Sequence, residues 1–337
     1  MPSPILDAPA TPPPGATPAI RAPRLIAFDI DGTLMPSSGT AMSDRTRAAL
    51  RATAAAGIEV VIATGRRQAY AAPLLAPVGL DPQTILISSN GTVTRDLAGH
   101  TLERSFLPID VALPLCAELR PFGGTTVYTF DRAGRGELVL ESLQRLHQRV
   151  ALWVQANLPW IEEIDPLERA FDAGQAPIQG MVCGTLDEMG RAERHLASTR
   201  FASLIEMHRT EYAGHDLSIL DILPRGCSKG VALSHLAARR GLTRGQVMAI
   251  GDNWNDLEML RWAGQPVLMG NASPELQTIA RDHHWHLAPT NDEDGVAQIL
   301  EQVLQQQVPG QLQEPPTTQP AASLSQPSPS PDCTRPA

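Results

Sequence analysis

The sequence predicts an α/β protein: a doubly wound, Rossmann-like parallel sheet with a second, α+β unit inserted into it. Three observations carry this. Short apolar runs at residues 25–28 (LIAF), 58–63 (IEVVIA) and 85–88 (ILIS) alternate with helical stretches, the rhythm of strands buried on both faces between crossover helices. Each run ends abruptly in polar residues. From about residue 92 to about 214 the pattern changes character, and then the α/β rhythm resumes.

The elements follow in order. After the first strand, Ser43 or Asp44 caps a helix to about Ala56, where Gly57 ends it. The second strand stops at Thr64-Gly65-Arg66, and after a helix the third stops at Asn90-Gly91. The middle segment has an alternating stretch at 125–130 (TTVYTF), a helix over 142–157, the segment 179–183, a helix over 186–198 and the segment 201–208. The core pattern resumes at 217–223, with a helix from Ser228 and a strand at 246–250 (QVMAI). A short helix, the segment 266–269, another helix and a last helix from Gly295 complete it.

Both ends are rich in Pro with Ala, Gln or Ser and cannot bury enough apolar surface to offset chain entropy. The expected organisation is a disordered tail (1–22), a first core part (23–91), an inserted α+β cap (92–214), a second core part (215–306) and a second disordered tail (307–337).

Composition removes whole classes of function. A net charge of -9 argues against a nucleic-acid partner, which needs a basic face. No apolar run approaches the roughly 18 residues of a membrane span. The N-terminus lacks the basic and apolar regions of a signal peptide. The 4 cysteines show no CxxC spacing, so neither a disulfide framework nor a zinc site is expected. A cytoplasmic protein is the default. Of 27 basic residues only Lys229 is a lysine, the rest being arginine in keeping with coding bias.

In an open parallel sheet, ligands bind beyond the carboxyl ends of the strands. There the sequence places Asp29 and Asp31, Thr64, Asn90, and the set Asp252, Asn255 and Asp256. Asp29 is positioned to attack phosphorus, and Asp31 to protonate the leaving oxygen and then activate water. Gly32 lets the chain turn while backbone N–H groups face phosphoryl oxygens. Read alone, this run is equally an acidic turn. Asp252 is the natural second carboxylate beside Asp29 for Mg²⁺, which takes one or two carboxylates, water and phosphate. Asn255 and Asp256 suit orientation of water, Lys229 or phosphate, although Asp and Asn also favour helix caps. Thr64 and Gly65 offer a hydroxyl and N–H groups at a helix start, where a plain cap is the simpler reading.

Lys229 follows Ser228 and lies in the first turn of a helix, where the macrodipole disfavours a cation. A compact ammonium reaching a phosphoryl group and a carboxylate explains that position better than a solvated face does.

Taken together, Asp29-Ile30-Asp31-Gly32-Thr33, Thr64-Gly65-Arg66, Lys229 within Gly226-Cys227-Ser228-Lys229-Gly230, and Gly251-Asp252-Asn253-Trp254-Asn255-Asp256 resemble the four motifs of the haloacid dehalogenase superfamily. Asn90-Gly91, Met269-Gly270-Asn271-Ala272 and the run 290–295 are similar to its Cof-type branch (subfamily IIB), whose α+β cap falls between the second and third motifs. The resemblance spans residues 23–305. It implies a phosphatase with Asp29 as nucleophile and Asp31 as acid/base. Mg²⁺ would be held by Asp29, the Asp31 carbonyl and Asp252, with Asp256 in the outer shell. The phosphoryl group would be held by Thr64, Gly65, Lys229, Asn255 and the backbone of Ile30, with Asn90 supporting. The partner implied is a small phosphorylated metabolite, with sugar phosphates, phosphorylated cofactors and nucleotides all compatible. A phosphomutase or other phosphotransferase shares this core, and a non-catalytic binding protein is the reading from a different class.

Other features fall outside that set. His283-His284-Trp285-His286 lacks a Cys or carboxylate at ligand spacing. Trp153, Leu158, Trp160 and Ile161 read as cap core or lid lining, and Glu162-Glu163 as solvated surface. For Arg66-Arg67, the site mouth and an exposed helix face are equal expectations.

Overall fold

The computed structural model describes residues 21–38, 41–122 and 125–307. The tails expected at 1–22 and 307–337 lie outside these residues except for 21, 22 and 307.

The first part of the chain supplies strand β1 (Leu25–Phe28), helix α1 (Asp44–Ala55), β2 (Glu59–Ala63), α2 (Gln68–Leu75), β3 (Ile85–Ser88), β4 (Val93–Asp96) and β5 (Thr101–Arg104). The middle supplies α3 (Ile109–Leu119), β6 (Val127–Thr129), β7 (Leu138–Leu140), α4 (Ala151–Asn157), β8 (Ile161–Glu163), β9 (Gln179–Gly184), α5 (Leu186–Ala197), β10 (Ile205–Tyr212) and β11 (Leu217–Pro224). Then come α6 (Lys229–Arg239), β12 (Val247–Gly251), α7 (Leu257–Trp262), β13 (Gln265–Leu268), α8 (Pro274–Asp282), β14 (His286–Leu287) and α9 (Gly295–Gln307).

Two sheets result. The first runs β14-β13-β12-β1-β2-β3-β4-β5, parallel from β14 to β3 with an antiparallel hairpin at the far edge. Strand β1 is buried throughout because both its faces are covered. Ile26 and Phe28 pack with Leu50 of α1, Leu75 of α2 and Ile299 and Leu300 of α9. Leu25 and Ala27 point the other way, toward Leu233 and Leu236 of α6, Leu260 of α7 and Leu276 of α8. Ser43 caps α1 by accepting from the Thr46 N–H, and Gly57 leaves it with φ 82°, as expected from the sequence.

The second sheet runs β10-β11-β9-β6-β7-β8, antiparallel except for β7 beside β8. Tyr128, Val182, Leu220 and Ile222 of this sheet pack on Leu115 of α3 and Leu196 of α5.

The boundaries expected at 92 and 215 both move. Strands β4 and β5 pair onto the first sheet through β3, so that sheet continues to Arg104. Strand β11, expected to resume the core, pairs antiparallel with β10 and β9 in the second sheet. An apolar run such as LSILDILP looks alike in either sheet, because periodicity does not name a strand's partner. The helix expected over 142–157 is helical only at Ala151–Asn157, since Leu146 is extended (φ -67°, ψ 144°) between two 3-10 turns. Among the described residues no helix is long and apolar enough to cross a membrane.

Candidate active site

The loops leaving β1, β2, β3 and β12 converge on one edge of the first sheet. Strand β1 ends where the Asp29 N–H donates to the Ile250 carbonyl at 3.0 Å, which fixes the Asp29 backbone beside β12. The Leu34 and Met35 N–H groups then donate back to the Ile30 carbonyl, so the chain turns at once. Gly32 makes that turn with φ 77°, and a Cβ there would lie 2.2 Å from Asp252 Oδ2. Glycine is needed here for both conformation and close approach. The Thr33 hydroxyl donates to Asp252 Oδ1 at 3.0 Å, tying the first loop to the last.

Lys229 is fully buried. Ser228 caps α6 by accepting from the Val231 N–H, which sets Lys229 as its first residue. Its Nζ donates to Asp29 Oδ1 at 2.6 Å and to Asp256 Oδ1 at 2.7 Å. The two carboxylates hold the ammonium charged against the pull of burial. Asp256 is fully engaged, because its Oδ2 accepts from the Asp252 N–H at 3.0 Å and the Asn253 N–H at 3.1 Å.

Asp29, Asp252 and Asp256 are all buried and offer oxygens within 4.8 Å of one another. Burial pushes the Asp29 carboxyl up to about 7, with Asp256 adding to the rise and Lys229 opposing it. Asp252 is raised as well, by burial and then by Asp29 and Asp256. Were all three carboxylates ionised against one ammonium, two negative charges would go uncompensated in a buried place, which is why Asp29 and Asp252 hold their protons more tightly. A divalent cation cancels that charge, and hard oxygen donors are what Mg²⁺ takes. The residues therefore fit a divalent metal, with Asp29 and Asp252 as side-chain ligands and Asp256 holding Lys229 behind them. Among the described residues this is the one group of His, Cys, Asp and Glu that meets ligand spacing.

The Asp31 side chain does not join the cluster. Arg66 Nε donates to its Oδ2 at 2.7 Å and Nη2 to its Oδ1 at 2.5 Å. Only its backbone carbonyl is left to reach a metal. The Arg66 guanidinium also lies 4.4 Å over the Tyr70 ring. Arg67 turns the opposite way and is buried. Its Nη1 donates to Glu137 and its Nη2 to Asn157, each at 2.6 Å, and it stacks 4.4 Å over Trp160. All three partners belong to the inserted unit.

The Thr64 hydroxyl accepts from the Arg66 N–H at 3.1 Å, as in a plain turn cap. Gly65 lies against Asn90, with 3.1 Å between its would-be Cβ and Asn90 Oδ1. Asn90 has φ 54°, a left-handed conformation that asparagine tolerates, and its side chain is fully buried. Its Oδ1 accepts from Asn255 Nδ2 at 3.1 Å. Gly91 (φ 97°) allows close passage of α6, since a Cβ would lie 2.2 Å from the Ser228 carbonyl. The structure thus brings Asp29, Asp252, Asp256 and Lys229 into direct contact, and links Thr64, Gly65, Asn90 and Asn255 beside them. The Ile30 side chain is core.

A sequence profile of the haloacid dehalogenase-like hydrolases matches residues 26–300. The chain belongs to that family. The resemblance to its Cof-type branch read from the motifs is borne out, and this haloacid dehalogenase-like hydrolase is a phosphatase. It is 31% identical over 258 residues to the HMP-PP phosphatase of Serratia proteamaculans, covering 76% of this chain and 87% of the relative. A haloacid dehalogenase-like hydrolase from Bacteroides thetaiotaomicron is 27% identical with a TM-score of 0.66, over 83% of this chain and 99% of the other. One from B. subtilis is 25% identical with a TM-score of 0.68, over 82% and 99%.

Sequence reasoning left Arg66 undecided and did not find Arg67 as a link to the inserted unit. It also missed Asp221, a buried carboxyl on β11. Its signal was present: a charge between Leu220 and Ile222 in an otherwise apolar strand needs a partner.

Proposed function

We propose that the protein is a Mg²⁺-dependent phosphatase that releases phosphate from a small phosphorylated metabolite through an aspartyl phosphate on Asp29. The carrying observation is the buried Lys229 ammonium bonded to Asp29 Oδ1, which leaves Oδ2 to attack phosphorus. In the first step the Asp29 oxygen bonds to phosphorus as the bond to the leaving oxygen breaks, and Asp31 supplies that oxygen's proton. In the second, Asp31 takes a proton from water, the water oxygen bonds to phosphorus as the bond between phosphorus and the Asp29 oxygen breaks, and the Asp29 carboxylate is regenerated along with free phosphate. Thr64, Gly65, Lys229, Asn255 and the backbone of Ile30 hold the phosphoryl oxygens. Asp29 and Asp252 would hold Mg²⁺, which when bound would supply charge neutralisation at the transferring group.

The curated relatives make HMP-PP the first substrate to try. Sugar phosphates and phosphorylated cofactors follow. Three buried free thiols, Cys116, Cys183 and Cys227, support a reducing, cytoplasmic setting. The test is phosphate release from p-nitrophenyl phosphate and then from this panel. Release should require Mg²⁺ and vanish in Asp29→Ala; full activity in that variant or in excess chelator sinks the reading.

A further inference from the structure

Asp221 lies on β11 of the inserted unit, yet both its carboxylate oxygens are spent on orienting amides. Oδ1 accepts from Gln179 Nε2 at 2.5 Å, and Oδ2 accepts from Asn90 Nδ2 at 2.8 Å. Asn90 Oδ1 in turn accepts from Asn255 Nδ2 at 3.1 Å. All four side chains are buried, so the bonds run in a place where an unmatched donor or acceptor is costly.

The direction of this chain is set at one end. An ionised carboxylate can only accept, so Asn90 must turn its NH₂ toward Asp221 and its oxygen toward Asn255. Asn255 must then answer with its own NH₂. One N–H of that group is used on Asn90, and the second stays available to an anion. Reverse the Asn255 amide, and an oxygen would face the phosphoryl group in place of an N–H.

We infer that Asp221 is a positioning residue: through Asn90 it fixes the amide of Asn255 with N–H groups toward the phosphoryl site. The inference rests on the reading of Asn255 as a phosphate ligand. It makes the inserted unit a contributor to phosphate affinity, beyond any contact it makes with the rest of the substrate.

Asp221→Asn keeps the shape and one acceptor but adds a donor. While Gln179 goes on donating to the oxygen of residue 221, Asn90 faces the new NH₂; it then turns its own oxygen to residue 221 and its NH₂ to Asn255, whose amide turns over. The experiment measures the inhibition constant for inorganic phosphate at about pH 8.5, well above the value of about 7 to which burial pushes Asp221. Melting curves run alongside. Asn255→Ala should weaken phosphate inhibition on the order of 10-fold; no change there removes the reading of Asn255 itself. With Asn255→Ala weakened, Asp221→Asn should show a comparable loss, and wild-type inhibition in a folded D221N overturns the relay. The exchange Asn90→Asp with Asp221→Asn restores the pattern, because a carboxylate at 90 accepts from both neighbours. It should regain most of the lost affinity, which a merely structural role for Asp221 does not predict. Should D221N fail to fold, the exchange variant decides: wild-type-like inhibition supports the relay, and inhibition as weak as in Asn255→Ala overturns it.

Discussion

Arg66 grips the Asp31 carboxylate with two nitrogens, at 2.7 and 2.5 Å, in the fork-to-fork geometry that a guanidinium allows and an ammonium does not. Arg66 thereby sets, from the loop after β2, where Asp31 stands as the acid/base residue we propose, and one of the two bonds must open when Asp31 carries the proton. Arg66→Lys should keep the charge and lose the aim. For an alkyl phosphate, whose leaving oxygen needs a proton, we expect kcat to fall about 10-fold. For p-nitrophenyl phosphate, whose leaving group departs unprotonated, the first step should barely change. Equal losses on both substrates would show that Arg66 serves something other than proton delivery.

Asp31→Asn should follow the same leaving-group pattern more severely, by roughly 10²–10⁴-fold on the alkyl substrate. It should also slow hydrolysis of the aspartyl phosphate, so rapid-quench experiments should find phosphorylated protein accumulating with p-nitrophenyl phosphate. Absence of that accumulation would remove Asp31 from the second step.

Metal binding should depend on pH with a definite sign. Without metal, burial and neighbouring carboxylates raise Asp29 to about 7 and raise Asp252 too. These groups then favour the fold at low pH and lose that contribution as pH rises from about 4 through about 7. Mg²⁺ must displace their protons. Its stabilising shift in Tm should therefore be small near pH 5 and grow through about pH 8. A shift independent of pH would mean that the metal binds elsewhere.

Arg67 and Glu137 form a buried pair, with side chains 7% and 9% exposed. Arg67→Met leaves the Glu137 carboxylate unpaired in a site where burial already raises it. The expected cost is about 3–5 kcal/mol of stability. The double variant Arg67→Met, Glu137→Leu should recover much of it, as seen by denaturant unfolding. Additive losses would argue that stacking on Trp160 dominates instead.

Gly32→Ala should act on Asp252, not on the backbone alone. Its new methyl would lie 2.2 Å from Asp252 Oδ2, so the carboxylate must move. Mg²⁺ affinity, read by calorimetry, should drop at least about 10-fold.

The sheet that positions these groups was legible because its strands are short and apolar, and because the helix between the first two is bounded by recognisable signals at Ser43 and Gly57. The acidic cluster was legible too, because Asp29, Asp252 and Asp256 sit at strand ends and the lone lysine stands in an electrostatically poor place. Pairings between distant segments were not. Nothing in the run LSILDILP says that Asp221 meets Asn90, and nothing in Arg66-Arg67 says that the two side chains diverge. Such facts depend on which strands become neighbours, and an apolar strand carries the same pattern beside any partner. The same limit moved both boundaries of the inserted unit.

Lys229 reaches Asp29 across 200 residues of chain. A ribosome adding about 5–20 residues per second needs roughly 10–40 s to cover that interval. Through all of it the nascent chain carries Asp29, the nucleophile we propose, without the ammonium that binds it. On the mechanism proposed above, the catalytic set is therefore complete only when roughly the last third of the chain is being made.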